Sequence, residues 1–190
     1  CFAAGVCPPW AVLAITFTNK AAREIKERLA KALDDATAAD AVWAGTFHSV
    51  CIRILRSHIG LLGYKSGFSI YDTDDQKKLI VRCMKDLNLD DKKFPPKSML
   101  NLIGRAKDKL MTPADMQAEN TADYLWSVAA KVYARYQEEL ARANALDFDD
   151  IIMLTVRLLE ENPDILDYYQ HKFKYVCVDE YQDTNFAQFR

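Results

Sequence analysis

Strand signals in this 190-residue chain sit only at its two ends, and that distribution restricts the possible folds more than any other feature. Ala11 to Phe17, Val42 to Thr46 and Tyr175 to Val178 are short apolar, β-favouring runs bounded by polar residues. Such runs read as strands buried on both faces of a parallel sheet. After the first run, Thr18 or Asn19 can cap a helix on which Ala22, Ile25, Leu29 and Ala32 recur at helical spacing. Asp34, Asp35 and Asp40 mark an alanine-rich polar connection to the second run, so this strand–helix–strand unit predicts a right-handed crossover. The first residues, Cys1 to Trp10, contain Gly5, Pro8 and Pro9 and read as irregular.

From Val50 to about Asn162 the strand signal gives way to helical periodicity, with Phe68 to Tyr71 a possible short extended piece. Thr73-Asp74-Asp75-Gln76 reads as a capping box, and a helix is expected from Ser98 towards Leu110 after the Pro95-Pro96 break. Thr112-Pro113-Ala114-Asp115 starts another, with proline at the first helical position. Leu125, Val128, Val132, Tyr136 and Leu140 predict a long amphipathic helix whose aromatic residues, with Trp126 and Tyr133, belong to the core. Asp147 opens a further helix and Asn162-Pro163 the last. The expected fold class is α/β, a parallel sheet interrupted by an all-helical insert.

The third run leads directly into Asp179 and Glu180. In open α/β sheets ligands bind beyond the carboxyl ends of the strands. In phosphate chemistry a carboxylate placed there holds a Mg²⁺ that bridges the β- and γ-phosphates, and an acid beside it takes a proton from the attacking water. The bland alternative is a solvated strand end. Phe17 closes the first run, where plain core packing is the alternative to a ligand contact. His48 follows the second, and a lone histidine is more often structural. Arg53 and Arg56, one helical turn apart, suit either a phosphate track or a solvated helix face.

Val178 to Asn185 resembles motif II (Walker B) of the superfamily 1A DNA helicases of the UvrD/Rep/PcrA kind. Ala14 to Glu24 resembles the family's motif Ia, Gly45-Thr46-Phe47-His48-Ser49 its motif Ib, and Leu146 to Asp150 a further family string, here read as a helix start. The resemblance implies a RecA-like P-loop NTPase domain 1A, residues 1–48 and 160–190, with a helical subdomain 1B inserted at 49–159. It implies an ATP-dependent 3′→5′ helicase using ATP and Mg²⁺ and acting on single-stranded DNA and single-strand/duplex junctions. Asp179 would be the metal ligand, Glu180 the residue acting on the hydrolytic water, and Gln182 the sensor of the γ-phosphate. Thr16, Phe17, Thr18 and Asn19, with Thr46, Phe47 and His48, would face the DNA, the aromatic rings stacking on bases whatever their sequence. Helix-start amides beside Thr18 and Asn19 suit phosphate. The family's phosphate-binding loop, G-x-x-x-x-G-K-[ST], does not occur here. The chain is therefore expected to be a piece of a longer protein, inactive as an ATPase alone, with a degenerate family member as the alternative.

A net charge of −2 and a pI near 6.0 argue against a broad basic face, but not against a narrow aromatic groove. Five scattered cysteines form no metal pattern and read as reduced thiols, Cys177 as a small core residue. No apolar run approaches the roughly 18 residues of a membrane helix, and no secretory signal is evident, so a cytoplasmic protein is expected. Two other readings remain open: a non-catalytic DNA- or protein-binding module, and the helicase arm of a helicase–nuclease.

Overall fold

The first strand, β1 (Val12–Thr16), is the centre of a three-stranded sheet. It pairs in parallel with β2 (Trp43–Thr46), Leu13 facing Trp43 and Thr16 facing Thr46. On its other side it pairs in parallel with β5 (Tyr175–Val178), Val12 facing Tyr175 and Ile15 facing Val178. The computed structural model describes residues 7–119 and 123–190; Cys1 and Gly5 lie outside them, and the prolines before β1 lead into a 3₁₀ turn at Pro9–Ala11. The chain forms two compact units, Cys1–His58 with Thr155–Thr184 and Ile59–Leu154 with Asn185–Arg190.

Within the first unit, β1 is buried from Leu13 through Thr16, as the central position of the sheet requires. The expectation of a doubly buried strand fails for β5, where Tyr175, Val176 and Cys177 are all exposed. The reason is cover: β2 is an edge strand too, but the helices at 19–33 and 47–58 pack against it, whereas β5 has its main contacts with β1, and an apolar run does not show which faces helices will cover. Cys177 is accordingly an exposed free thiol and not a core residue. Helix α1 (Asn19–Leu33) begins where the Thr18 hydroxyl accepts a bond from the Ala21 amide at 3.1 Å, and ends at Asp34 in the left-handed conformation. The alanine-rich connection is itself a helix, α2 (Ala36–Ala41), because Asp35 caps the Ala38 amide at 3.1 Å and alanine has the highest helix propensity. Helix α3 (Phe47–His58) follows β2 without a loop.

The second unit contains α4 (Thr73–Asp86), α5 (Pro96–Asp108), α6 (Pro113–Ala118), α7 (Tyr124–Arg142) and the short α10 (Phe186–Phe189). It is not strictly all-helical. Ser69–Ile70 (β3) and Ala145–Leu146 (β4) form a small parallel ladder, two pairs too short to leave an alternating pattern. The α4 cap is Asp72, one residue before the predicted box, accepting from the Asp74 and Asp75 amides at 2.9 Å. Helix α6 starts at Thr112 as expected, and Thr112 and Asp115 form a capping box there. Ile80, Met84, Met99, Ile103, Val132 and Leu140 fill the core with Tyr133 and Tyr136. Each such side chain contributes about 1.5–3 kcal/mol on burial.

That core also encloses charge. Lys107, on α5, lies 2.7 Å from Asp147 and 2.8 Å from Asp150. Asp147 and Asp150 accept reciprocally from each other's backbone amides at the start of α8 (Phe148–Glu161). The Tyr136 hydroxyl donates to Asp147 at 3.1 Å and the Gln137 amide to Asp150 at 2.9 Å. The acidic string read as a helix start is therefore that, and an ion-pair anchor as well. Helix α9 (Pro163–Lys172) leads back to β5.

Candidate functional site

All three long strands run the same way, so their carboxyl ends lie on one edge of one sheet. The turns carrying Phe17, His48 and Asp179 are thereby brought together. At the first turn, Thr16 is fully buried and its hydroxyl donates to the Thr18 carbonyl at 3.0 Å. Thr16 thus holds the turn instead of facing a ligand, while Phe17, Thr18 and Asn19 are exposed. The Phe17 and Phe47 rings meet at a centroid distance of 5.5 Å, tilted by 58°. Phe47 is buried and Phe17 is 38% exposed, so Phe47 buttresses the ring that Phe17 presents.

At the second turn the Thr46 hydroxyl accepts from the Ser49 amide at 3.2 Å, and the Ser49 hydroxyl donates to the Thr46 carbonyl at 2.9 Å. These reciprocal bonds fix the first turn of α3, with His48 half-buried within it. They also explain Gly45: a Cβ there would collide with the Ser49 hydroxyl. Gly45→Ala is expected to turn that hydroxyl away, at a cost of about 1 kcal/mol for the lost bond. Thermal unfolding measures that cost, and in a Ser49→Ala background, which already lacks the bond, Gly45→Ala should add little.

At the third turn the ladder runs one residue past β5, the Asp179 amide donating to the Ile15 carbonyl at 2.9 Å. The Asp179 carboxylate accepts from the Glu180 amide at 3.1 Å. Glu180 has a φ of 51°, in the left-handed region, a conformation that costs a residue with a Cβ about 1–3 kcal/mol. The side-chain amide of Gln182 donates to the Glu180 carboxylate, and a 3₁₀ turn at Tyr181–Asp183 closes the segment. Sequence reasoning named these residues but missed the strained backbone, which no side-chain pattern encodes.

No group of three or more histidine, cysteine or acidic residues able to hold a metal is present among the described residues. A self-sufficient metal cage is not what Mg²⁺ requires, since it binds through one or two carboxylates plus water and substrate phosphates. The exposed Asp179 and Glu180 fit that more modest demand. Arg53 does not prolong this rim: its guanidinium stands 3.7 Å from the centroid of the Trp43 ring. Burial pushes the thiols of Cys51 and Cys83 up to about 11, which keeps them protonated and unreactive at neutral pH. No helix among the described residues is long and apolar enough to cross a membrane.

The UvrD/REP helicase N-terminal domain family model matches residues 2–190, and the chain belongs to that family. Its curated relatives include the ATP-dependent DNA helicase PcrA of Staphylococcus aureus, 51% identical over 181 residues, which cover 95% of this chain and 24% of the relative. PcrA of Bacillus subtilis is 49% identical and that of Staphylococcus epidermidis 46%, each with the same coverage. The chain spans about a quarter of the length of these relatives.

Proposed function

We propose that this chain is the nucleotide- and DNA-facing part of an ATP-dependent 3′→5′ DNA helicase. It would comprise a partial RecA-like domain 1A, residues 1–48 and 160–190, and an inserted domain 1B, residues 49–159. The observation that carries this reading is the common rim, where an exposed aromatic turn, a histidine turn and a carboxylate pair end three parallel strands.

Asp179 is suited to steady the Mg²⁺ of a bound nucleotide, which in phosphoryl transfer offsets the charge developing on the phosphates. Glu180 would orient or deprotonate water, and Gln182, bonded to Glu180, would report the state of the phosphate to the neighbouring turns. Phe17 offers its face to a base. Thr18, Asn19 and the early amides of α1 and α3 offer donors to the phosphodiester backbone. Phosphoryl transfer also needs a phosphate-cradling lysine and a charge-stabilising arginine. The sequence shows neither as a recognisable motif, and the chain by itself is expected to show no ATPase.

Anisotropy with labelled single-stranded DNA tests the rim. Phe17→Ala should weaken binding about 5- to 150-fold, as expected for the loss of one base–aromatic stack of about 1–3 kcal/mol, and His48→Ala should weaken it as well. Asp179→Ala should leave binding within twofold, because hydrolysis and backbone contact are separable. Binding indifferent to Phe17 and His48 would refute the DNA assignment. DNA-stimulated ATP hydrolysis by a clean preparation of this chain would refute the division of labour.

A further inference from the structure

At the opposite edge of the same sheet, Trp43 opens β2 and two cations stand over its ring. The Arg53 guanidinium is 3.7 Å from the ring centroid and the Lys172 ammonium 4.3 Å. Their separation cannot exceed the sum of those distances. Phe173 meets the indole edge-on at 5.0 Å and Tyr169 at 6.2 Å, so the ring is a fixed platform. His58 packs edge-on against Tyr169 at 5.8 Å. Trp43, Arg53, His58, Tyr168, Tyr169 and Lys172 line a cavity of about 510 Å³.

The charge balance of this cavity is one-sided. No acidic residue lines it, and neither Arg53 nor Lys172 is ion-paired among the described residues. Of the acids on α9, Asp167 is held by His171 at 3.1 Å, and Asp164 sits in the first turn, at the far end of the helix from Lys172. Two like charges held close on aromatic faces repel, and an anion beside them relieves that repulsion. The volume falls within the range of small-ligand pockets. Tyr168, 53% exposed, presents a ring that can stack on a base, with Lys172 5.6 Å from its centroid.

From this arrangement we infer a second nucleic-acid contact, separate from the rim: a pocket for one nucleotide unit of a single strand. Its phosphate is held by Arg53 and Lys172, and its base lies on Tyr168. Trp43 stands three residues before Thr46 on β2, a span of about 10 Å, so this pocket and the rim engage different parts of a strand. The inference does not depend on the role assigned to the rim.

Titrating the ¹⁵N-labelled chain with octathymidylate, and separately with thymidine 5′-monophosphate, tests it through the backbone amides of residues 53–58 and 168–173. Octathymidylate should shift these amides. Arg53→Gln with Lys172→Gln should weaken the response at least tenfold and lower the slope of log affinity against log salt by about 1–2. Tyr168→Ala, on an exposed ring, should weaken it about fivefold or more, and it decides the matter if the double variant disturbs Trp43. The inference is overturned if shifts are confined to residues 17–19 and 46–48 or survive the substitutions. Mononucleotide binding as tight as the oligonucleotide would also overturn it, by assigning the pocket to a free nucleotide.

Discussion

Lys107→Ala is expected to lower the stability of the helical unit by about 3–5 kcal/mol, the cost of leaving buried carboxylates without their cation. The side chain of Lys107 is fully buried, with Asp147 at 2.7 Å and Asp150 at 2.8 Å. Urea denaturation followed through Trp126, on α7 of the same unit, reads the loss directly. The combined change Lys107→Met, Asp147→Asn and Asp150→Asn removes the charges but keeps oxygens to accept the backbone amides at the start of α8. It should restore most of the stability, because a buried ion pair exchanged for neutral groups of similar size is often nearly neutral in stability.

The same network sets a pH dependence. Burial pushes the Asp150 carboxyl up to about 6, against the pull of Lys107. Asp147 is held below the usual carboxylate range by the Lys107 charge and hydrogen bond, despite its own burial. A native value above the unfolded one, near 3.9, means the folded state takes up its proton first. For Asp150, stability is therefore gained as pH falls from about 7 towards 4. For Asp147 the sign is opposite, and its contribution is lost only below the ordinary carboxylate range. The unit should hold or gain stability between pH 7 and pH 5 and lose it in stronger acid. The deficit of Lys107→Ala should shrink at pH 5, where Asp150 can be neutral; an equal deficit at pH 5 and pH 8 would contradict the ionic account.

The second large effect is catalytic. In a protein joining this domain to a phosphate-binding loop, Glu180→Gln is expected to lower the kcat of ATP hydrolysis by about 10²–10⁴-fold, the usual contribution of a positioned general base. Single-strand affinity should remain within a factor of two. Glu180→Gly separates chemistry from backbone strain. It should be as inactive, yet cost the fold nothing, because glycine adopts the left-handed conformation at φ 51° without a steric penalty. A Glu180→Gln protein with undiminished turnover would move the acid–base role to another residue.

Local chemistry accounts for what could be read in advance. The apolar runs, the Thr18 cap and the helix start at Thr112 each depend on a few adjacent residues, and each was legible. The family strings were equally legible, since they are contiguous. The edge exposure of β5, the buried Thr16, the β3–β4 ladder and the left-handed Glu180 were not. Arg53 is the clearest case. Its neighbours in sequence leave a phosphate track and a solvated face equally open, and the decision rests with Trp43 and with Lys172, more than a hundred positions away in the chain.

The order of residues was thus enough to settle the three long strand runs, the helix starts at Thr18 and Thr112 and the family, because periodicity, capping and contiguous motifs are short-range properties. Which edge strand was left uncovered, which ring was presented at the rim, and which cation met Asp147 and Asp150 depended on the packed fold. Those outcomes follow from burial and from electrostatics at close range, and both exist only once distant segments have come together.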